Sequence, residues 1–364
     1  MGSLQSKALQ SRAHSRGDSS SDASSRGKRK ASTAWYRIRH GNRAAKSPSD
    51  TCTPVMANRY GQHTELSPIS KPKWLESHAQ MTLDTEGRFR MMPSDADDAE
   101  RTAANHYVYK YVMRGNHLAK LDNPKRILDV GVENGVWLQE IATKFPKAKA
   151  IGIDIQDQLD YNKMPSNVSF VLADLLASEG LPFKDGYFDY VHMRSMRCFL
   201  PDDKWPQAIE ALFRVTKPGG QIELFESCFD FSVNAPEPTR FIEMCTDLMR
   251  FGGLEREAVQ HLDLLLEMAG FTDVRREVIA IPVGDWGDVP GRLIEKSFTV
   301  CLDRLRTVVE QHPTIGLEEY DYLREYCFDR LDTLRAHSPL YIYTARRPVI
   351  KGRSTTVMSS GHSN

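Results

Sequence analysis

The chain has 364 residues, 40% of them hydrophobic, which is enough for one large domain or two small ones. Its 48 Lys and Arg balance 48 Asp and Glu, and zero net charge argues against a nucleic-acid partner. Six scattered cysteines form no CxxC pair and no zinc-like Cys/His spacing, which predicts a reduced cytoplasmic or nuclear protein without a metal site. The sequence has no apolar run of the length of a signal peptide or of a membrane span, roughly 18 residues.

The first 75 residues are predicted to be a disordered Ser/Arg-rich tail and linker. Residues 1–50 contain 12 Ser and 11 Lys or Arg against 3 Asp, with few apolar groups to offset the entropy of ordering. Residues 1–6 match the myristoylation pattern, so we expect membrane association only if Gly2 is acylated; a chance match is the alternative. The basic cluster at 26–30 is typical of a membrane-binding patch, a nuclear import signal or a solvated charge run.

Alternating helix and strand patterns begin after the tail. A capping pattern at Ser94 opens a helix whose apolar residues recur at helical spacing to Val112. Strands are then expected at 126–129, 148–153, 168–172, 188–193 and 221–226, with helices at 134–145 and 205–216. The connections are too long for hairpins and carry helices. The pattern therefore predicts a doubly wound α/β sheet of parallel strands with helices on both faces.

The pattern changes after residue 228. Helices are expected at 240–250, 256–270, 291–310 and 317–336, and strands at 274–282 and 340–345. We therefore predict a folded domain at 76–350, with a cofactor-binding core at 125–228 and a helical insertion at 229–338 that forms a substrate or lid region. Residues 351–364 are expected to be a second disordered tail.

The stretch Arg126–Gly135 ends an apolar strand in an aspartate and continues into a glycine loop and an apolar-faced helix. Ligands of open parallel sheets bind beyond the carboxyl ends of the strands, where Asp129, Gly131 and Asp154 fall. The helix start offers unpaired N–H groups, and glycines let the backbone approach a ligand. This layout predicts a nucleoside-bearing cofactor, with Asp154 accepting hydrogen bonds from both ribose hydroxyls. A βαβ turn without a ligand is the alternative.

Glu133 distinguishes two cofactor types. A dinucleotide site requires glycine at 131, 133 and 136, and only Gly131 matches; a methyl-donor site requires glycine at 131, 133 and 135, and two match. Glutamate beside a pyrophosphate brings like charges together, whereas S-adenosylmethionine carries a positive sulfonium and a positive amino group. The loop therefore favours S-adenosylmethionine and disfavours a nicotinamide-dependent oxidoreductase.

Five motifs in order resemble the class I S-adenosylmethionine-dependent methyltransferases over roughly 80–348. They are Ile127-Leu-Asp-Val-Gly-x-x-x-Gly135, Ile151-Gly-Ile-Asp154, Val171-Leu-Ala-Asp174, Leu181-Pro-Phe-x-Asp-Gly-x-Phe-Asp-Tyr-Val-His192 and Val215-Thr-Lys-Pro-Gly-Gly220. Shorter motifs at 81–89, 192–194 and 281–286 are similar to the fungal LaeA-type methyltransferases, a group that includes regulators of secondary metabolism and biosynthetic enzymes. The resemblance implies a Rossmann-like, seven-stranded sheet with a reversed last strand, and makes 76–350 a methyltransferase domain.

The resemblance also implies which residues bind S-adenosylmethionine. The methionine-side loop is assigned to Asp129, Gly131 and Gly135, the ribose to Asp154, the adenine amino group to Asp174 and the side of the adenine ring to Leu175. Glu133 belongs to the same loop but departs from the family, which usually has glycine there. Its Cβ is expected to crowd the cofactor.

Candidate catalytic residues follow the fourth and fifth strands. Methyl transfer is an in-line displacement on an activated carbon, so a base is needed only where the acceptor is protonated. The candidates are His192, Arg194 and Glu226. His192 has a pKa suited to a base, but it alternates with Phe188 and Tyr190 and is also interpreted as a structural residue. Arg194 is alternatively interpreted as orienting an acidic substrate or as pairing with Glu226. Glu226 is alternatively interpreted as a solvated strand end.

Six aromatic side chains of the insertion would either form a lid over an apolar acceptor or pack in the core: Trp286, Phe298, Tyr320, Tyr322, Tyr326 and Phe328. Three side chains of the first helix would either cover the cofactor or pack in the core: His106, Tyr107 and Tyr111.

The sequence predicts an S-adenosylmethionine-dependent methyltransferase that acts on O or N of a small molecule in fungal secondary metabolism. The alternative is a LaeA-like regulatory methyltransferase or pseudoenzyme that acts through protein partners to control secondary metabolism or development. Asp154 and Asp174 favour the enzyme, while Glu133 and the basic tail favour the regulator.

Overall fold

The computed structural model describes residues 96–227, 235–251, 254 and 257–349. Seven strands form one sheet within these residues. They are β1 (Arg126–Val130), β2 (Lys149–Asp154), β3 (Val168–Leu172), β4 (Phe188–Arg194), β5 (Thr216–Ser227), β6 (Thr272–Pro282) and β7 (His337–Arg346). Their order in the sheet is β3-β2-β1-β4-β5-β7-β6.

The direction of the strands confirms the predicted sheet. Neighbouring strands from β3 to β5 pair in parallel, whereas β7 runs antiparallel to both β5 and β6. Strands such as β1 and β4 are buried along almost their whole length, as expected of parallel strands covered on both faces. The chain therefore has the doubly wound, seven-stranded sheet with a reversed last strand.

The β2–β3 and β3–β4 connections contain turns and no helix, contrary to the expected pattern. Within the described residues, eight α-helices precede β1 or lie in the other four connections. They are α1 (Ala96–Met113), α2 (Val136–Lys144), α3 (Trp205–Val215), α4 (Pro236–Phe251), α5 (Glu257–Gln260), α6 (Leu262–Met268), α7 (Asp288–Val309) and α8 (Leu317–Phe328). The helix expected at 256–270 is split at His261, whose φ of −128° is too extended for an α-helix. The helix expected to reach 336 ends at Phe328, and turns follow it to Arg335, which has φ +48°.

The core has layers on both faces of the sheet. On one face, α2 buries Leu138 and Ile141 against Ile127. On the other face, side chains of α3, including Leu212, pack against Val191 of β4. Helices α4, α7 and α8 of the insertion form a third cluster with residues of β5, β6 and β7. The carboxyl ends of the parallel strands are consequently lined by loops, by α1 and by α7.

Several predicted features lie outside the described residues. They are the two tails with the domain boundaries near 76 and 350, the acylation pattern at Gly2, the basic cluster at 26–30 and the motif at 81–89. Among the helices that the structure describes, none is both long and apolar enough to cross a membrane.

Candidate active site

The loop after β1 depends on two glycines with left-handed backbone conformations. Gly131 has φ +69° and Gly135 has φ +76°. The N–H groups of Gly131 and Val132 both donate to the Ile153 carbonyl, at 2.9 and 3.2 Å, and tie the loop to the end of β2. A Cβ on Gly135 would lie 2.4 Å from Leu159 Cδ2, closer than side chains can pack. The loop therefore holds α2 at the end of β1 in a form that requires glycine.

Glu133 adopts the same left-handed conformation without being glycine. Its φ is +49°, which costs an L-residue roughly 1–2 kcal/mol. Its N–H donates to Asp154 Oδ2 at 3.1 Å. The next residue, Asn134, donates from Nδ2 to the Ala99 carbonyl at 3.3 Å and so joins the loop to α1. The loop, β2 and α1 are thus held together around the position that departs from the family.

A cavity lies beyond the carboxyl ends of β1, β2 and β3. It contains about 900 Å³ of space outside protein atoms, part of it open to solvent. Five of the predicted cofactor-binding residues line it: Gly131, Glu133, Asp154, Asp174 and Leu175. The other two, Asp129 and Gly135, are not among its described lining residues. The parallel strands therefore bring most of the predicted cofactor residues together.

Backbone N–H groups fix the two aspartates that end β2 and follow β3. Asp154 Oδ1 accepts hydrogen bonds from the N–H groups of Ile155 and Gln156, at 2.7 and 3.3 Å. Asp174 Oδ1 accepts one from Leu176 at 2.8 Å. Each carboxylate is thereby oriented while its residue lines the cavity. Such carboxylates accept hydrogen bonds from hydroxyl and amino groups of a ligand.

The charges that line the cavity all have one sign. Four carboxyl side chains face it, those of Asp98, Glu133, Asp154 and Asp174, and its described lining includes no Lys or Arg. Burial raises the pKa of Glu133 to about 7, while the nearby guanidinium groups of Arg101 and Arg194 act in the opposite direction. A pyrophosphate would be repelled here and a cation attracted. The residues therefore fit S-adenosylmethionine, with its sulfonium and amino charges, and not a dinucleotide.

His192 is not among the described residues that line this cavity. Its ring stacks on Trp137 with 3.6 Å between centroids and 5° between planes. Its Nδ1 lies 2.7 Å from Asp129 Oδ1, and the side chain is 1% exposed. Burial disfavours charged side chains, so it lowers the pKa of His192 and raises that of Asp129. The uncharged form of the pair is therefore favoured. This geometry favours the structural interpretation of His192; its catalytic role stays a prediction.

Asp129 and His192 belong to a row of polar residues across the sheet. Asp129 pairs in register with His192, and His192 pairs with Glu223. The two oxygens of Glu223 accept hydrogen bonds from the N–H groups of Leu118 and Ala119, both at 2.8 Å. Sequence reasoning missed Glu223, although a charge inside the apolar run of β5 was a detectable signal. The row anchors the chain after α1, and Asp129 belongs to this row and not to the described lining of the cavity.

The other two catalytic candidates separate in the structure. Arg194 Nη1 donates to His106 Nδ1 at 2.9 Å, beneath α1. Glu226 is a buried strand end and not a solvated one. Its two oxygens accept hydrogen bonds from the N–H groups of Met196 and Arg197, at 2.8 and 3.2 Å. Burial raises the pKa of Glu226 to about 8, so its carboxyl group can exchange a proton near neutral pH.

Glu226 lines a second cavity, between α1, α7 and the carboxyl ends of β4 and β5. This cavity contains about 560 Å³ of space outside protein atoms, including open solvent. Asn105 of α1, Arg197 and Ser297 of α7 also line it, and the sequence did not single them out. A single turn after β4 contributes residues to both cavities: Met196 and Phe199 to the first, Arg197 to the second.

The aromatic candidates divide between packing and exposure. Tyr320 is fully buried, and its hydroxyl donates to the Leu302 carbonyl at 2.8 Å. Phe298 is buried and lines the second cavity. On α1, Tyr107 and Tyr111 are both more than half exposed, at 53% and 54%. Packing therefore accounts for Tyr320. The residues of α1 that line the first cavity are Asp98, Ala99 and Thr102, which the sequence did not predict. No group of three or more potential metal ligands occurs in the described part of the chain.

Comparisons with known proteins agree with this geometry. Residues 127–220 match a family model described as a methyltransferase domain. The chain is 31% identical over 219 residues to the N-methyltransferase verN of Clonostachys rogersoniana, covering 57% of this chain and 74% of verN. It is 27% identical over 271 residues to the secondary metabolism regulator laeA of Coprinopsis cinerea, covering 68% of this chain and 65% of that regulator, slightly less than two thirds of its length.

Solved structures include a further similar protein. The structure of Haemonchus contortus phosphoethanolamine N-methyltransferase 2 in complex with S-adenosyl-L-methionine superposes with a TM-score of 0.40 and 16% identity. The superposition covers 68% of this chain and 57% of that chain.

Proposed function

Because this chain belongs to the class I S-adenosylmethionine-dependent methyltransferases, in the LaeA-like fungal group, we propose that it methylates a nitrogen or oxygen atom of a small molecule in fungal secondary metabolism. The observation that carries the proposal is the first cavity, with four carboxyl groups and no Lys or Arg in its described lining. An N-methyltransferase among its relatives supports the choice of acceptor atom. We place the activity in the cytoplasm, the nucleus or both.

The proposed cofactor-binding residues are the five of the seven predicted ones that line the first cavity. Asp154 would bind the ribose hydroxyls and Asp174 the adenine amino group, because both carboxylates are held by backbone N–H groups at the cavity wall. Leu175 would lie beside the adenine ring. Gly131 and Glu133 would face the methionine portion, where the Glu133 carboxylate attracts the positive charge.

Bound S-adenosylmethionine supplies a methyl group on a positively charged sulfur, which an acceptor nitrogen or oxygen displaces in line. The bond between sulfur and the methyl carbon breaks, the bond between the acceptor atom and that carbon forms, and the acceptor loses a proton. Glu226 in its ionised form is the proposed proton acceptor, because it lines the second cavity and its raised pKa, about 8, makes the carboxylate a stronger base. The protein otherwise aligns the acceptor and excludes water.

Calorimetric titration of the full chain with S-adenosylmethionine and with NAD tests the cofactor. We expect binding of S-adenosylmethionine only. Asp154→Ala should weaken it about tenfold or more, because a hydrogen bond that involves a charged group contributes roughly 1.5–3 kcal/mol. Asp160→Ala, which removes an exposed carboxylate paired with Lys163, should leave the affinity within about twofold. Binding of NAD, or of neither compound, would contradict the proposal.

A regulatory role is the second candidate, and the similarity to laeA of Coprinopsis cinerea favours it. Under that role, protein partners would bind the chain and methylation would be weak, absent or directed at a protein. Strains with the wild-type gene and with Asp154→Ala distinguish the two. Loss of one methylated metabolite supports the enzyme, whereas unchanged metabolites in the variant strain but many altered ones in a gene deletion support the regulator.

A further inference from the structure

We propose that the second cavity binds the methyl acceptor and that this acceptor is an uncharged small molecule. An N–H or O–H group of this molecule donates a hydrogen bond to Oδ1 of Asn105. The inference rests on the proposed function and specifies its substrate class. Four features of the cavity support it: its position, an acceptor atom without a partner, its charges and its apolar wall.

The position of the second cavity brings its contents next to the cofactor cavity. Ser195, Arg197 and Cys198 line the second cavity, while Met196 and Phe199 of the same turn line the first. The turn is held at the strand ends, because Ser195 N–H donates to the Phe225 carbonyl at 2.8 Å. The two cavities therefore adjoin at this turn, and methyl transfer requires that the acceptor reach the methyl group past it, because the reacting atoms must come into direct contact.

Asn105 supplies the specific recognition atom. Its side chain is 7% exposed and lines the second cavity. Its Oδ1 is buried and accepts no hydrogen bond from any residue that the structure describes. A buried amide oxygen without a donor is unfavourable, because it has lost its hydrogen bonds to water. A ligand that brings an N–H or O–H group satisfies it, and a ligand without a donor leaves the unfavourable state in place.

The charges of the cavity disfavour a cationic ligand. Arg101 and Arg197 are both more than nine-tenths buried and contribute guanidinium groups to the lining. Glu226 is the acidic residue in that described lining, and both of its oxygens already accept backbone hydrogen bonds. An ammonium group would meet the guanidinium group of Arg197 in a partly dry site, where the carboxyl group of Glu226 is already hydrogen-bonded.

An anionic ligand is also less suited than a neutral one. Arg101 forms an ion pair with Asp98 at 2.7 Å, which offsets its charge. The remaining wall includes the apolar side chains of Ile281, Ile294 and Phe298. An apolar body with one donor group matches this combination of surfaces.

Indole and two relatives provide a direct test with the full chain. Saturation-transfer difference NMR compares indole with 1-methylindole, which lacks the N–H, and with tryptamine, which carries a positive charge. Saturating S-adenosylhomocysteine fills the first cavity, so that the signal reports the second. We expect indole to bind at least tenfold more tightly than either relative. Equal binding of indole and 1-methylindole, or tighter binding of tryptamine, would overturn the proposal.

Two asparagine variants locate the effect. Asn105→Leu should abolish the preference for indole over 1-methylindole. Asn116→Leu should preserve it, because Asn116 also buries an unbonded Oδ1 but lies outside the second cavity. Both variants should bind S-adenosylhomocysteine within twofold of wild type. A preference retained in Asn105→Leu would overturn the proposal, and the three-ligand comparison on wild type decides it if this variant does not fold.

Failure of the proposed function gives a different result. If S-adenosylhomocysteine does not bind wild-type protein, the proposed methyltransferase function is wrong, whether or not indole binds. If S-adenosylhomocysteine binds and indole shows no preference over 1-methylindole, the cofactor assignment stands and the acceptor class is wrong.

Discussion

The backbone N–H of Glu133 donates a hydrogen bond to Oδ2 of Asp154 across 3.1 Å. This bond joins the residue that departs from the family to the residue proposed to bind the ribose. Glu133 forms it with a left-handed backbone conformation, at φ +49°. The chain thus keeps a glycine-like loop geometry while adding a carboxyl group to the cofactor cavity.

Replacing Glu133 separates its strain from its charge. At pH 5, Glu133→Gly should have a free energy of unfolding about 1 kcal/mol above that of Glu133→Gln. Neither variant has the carboxyl group, and only glycine relieves the left-handed strain. At pH 8, both variants should bind S-adenosylmethionine about threefold to tenfold more weakly, because each loses the carboxylate. Urea denaturation and calorimetry measure the two effects. Tighter binding by Glu133→Gly alone would show that crowding by the Cβ outweighs the charge.

The stability of the fold should depend on pH through Glu133. Burial raises the pKa of this carboxyl group from 4.5 to about 7. The protonated form is therefore favoured in the folded state, and its stabilising contribution is complete below pH 4.5 and is lost as the pH rises through 7. Glu133→Gln should gain about 1–3 kcal/mol over wild type between pH 4.5 and pH 8. A difference between the two proteins that stays constant across this range in urea denaturation would contradict the prediction.

Gly135 should not tolerate a side chain. Gly135→Ala places a Cβ 2.4 Å from Leu159 Cδ2 at φ +76°, so we expect a loss of about 2–3 kcal/mol in the free energy of unfolding. Gly316→Ala is the matched control, because its Cβ would meet nothing within 4 Å and its φ is −89°. The control should change stability by less than about 0.5 kcal/mol. Equal losses in the two variants would show that the loop adapts to a side chain.

His192 should contribute to stability more than to cofactor binding. His192→Ala removes the ring stacked on Trp137 and leaves Asp129 buried without its partner, so we expect a loss of about 2–4 kcal/mol in urea denaturation. S-adenosylmethionine should still bind within about threefold, because His192 is not among the described residues of the first cavity. His192→Asn, which keeps a polar partner for Asp129, should lose less. Unchanged stability with lost methyl transfer would instead support a catalytic His192.

The cofactor cavity could be predicted because the strands and their parallel direction follow from local patterns. Parallel strands place their carboxyl ends at one edge, so residues at the ends of β1, β2 and β3 meet there whatever the rest of the chain does. Asp154 and Asp174 line the same cavity for this reason. The pairing of Asp129 with His192 depends on the register between β1 and β4, which the pattern of each strand alone does not give.

The second cavity was not predictable from local patterns. Asn105 lies on α1, Glu226 ends β5 and Ser297 lies on α7, so tertiary packing alone brings them together. Asn105 and Ser297 have neither a motif nor a periodic spacing that distinguishes them from surface residues. Burial distinguishes them, and burial depends on how α7 packs against α1.

Arg101 and Asp98 give the two cavities a common element. Asp98 lines the first, Arg101 lines the second, and their side chains form an ion pair at 2.7 Å. Each cavity is therefore lined by one member of the same ion pair. If binding of one molecule changes the affinity for the other by some factor, binding of the other changes the affinity for the first by the same factor. Any coupling that this ion pair transmits between the two cavities is therefore the same whichever molecule binds first.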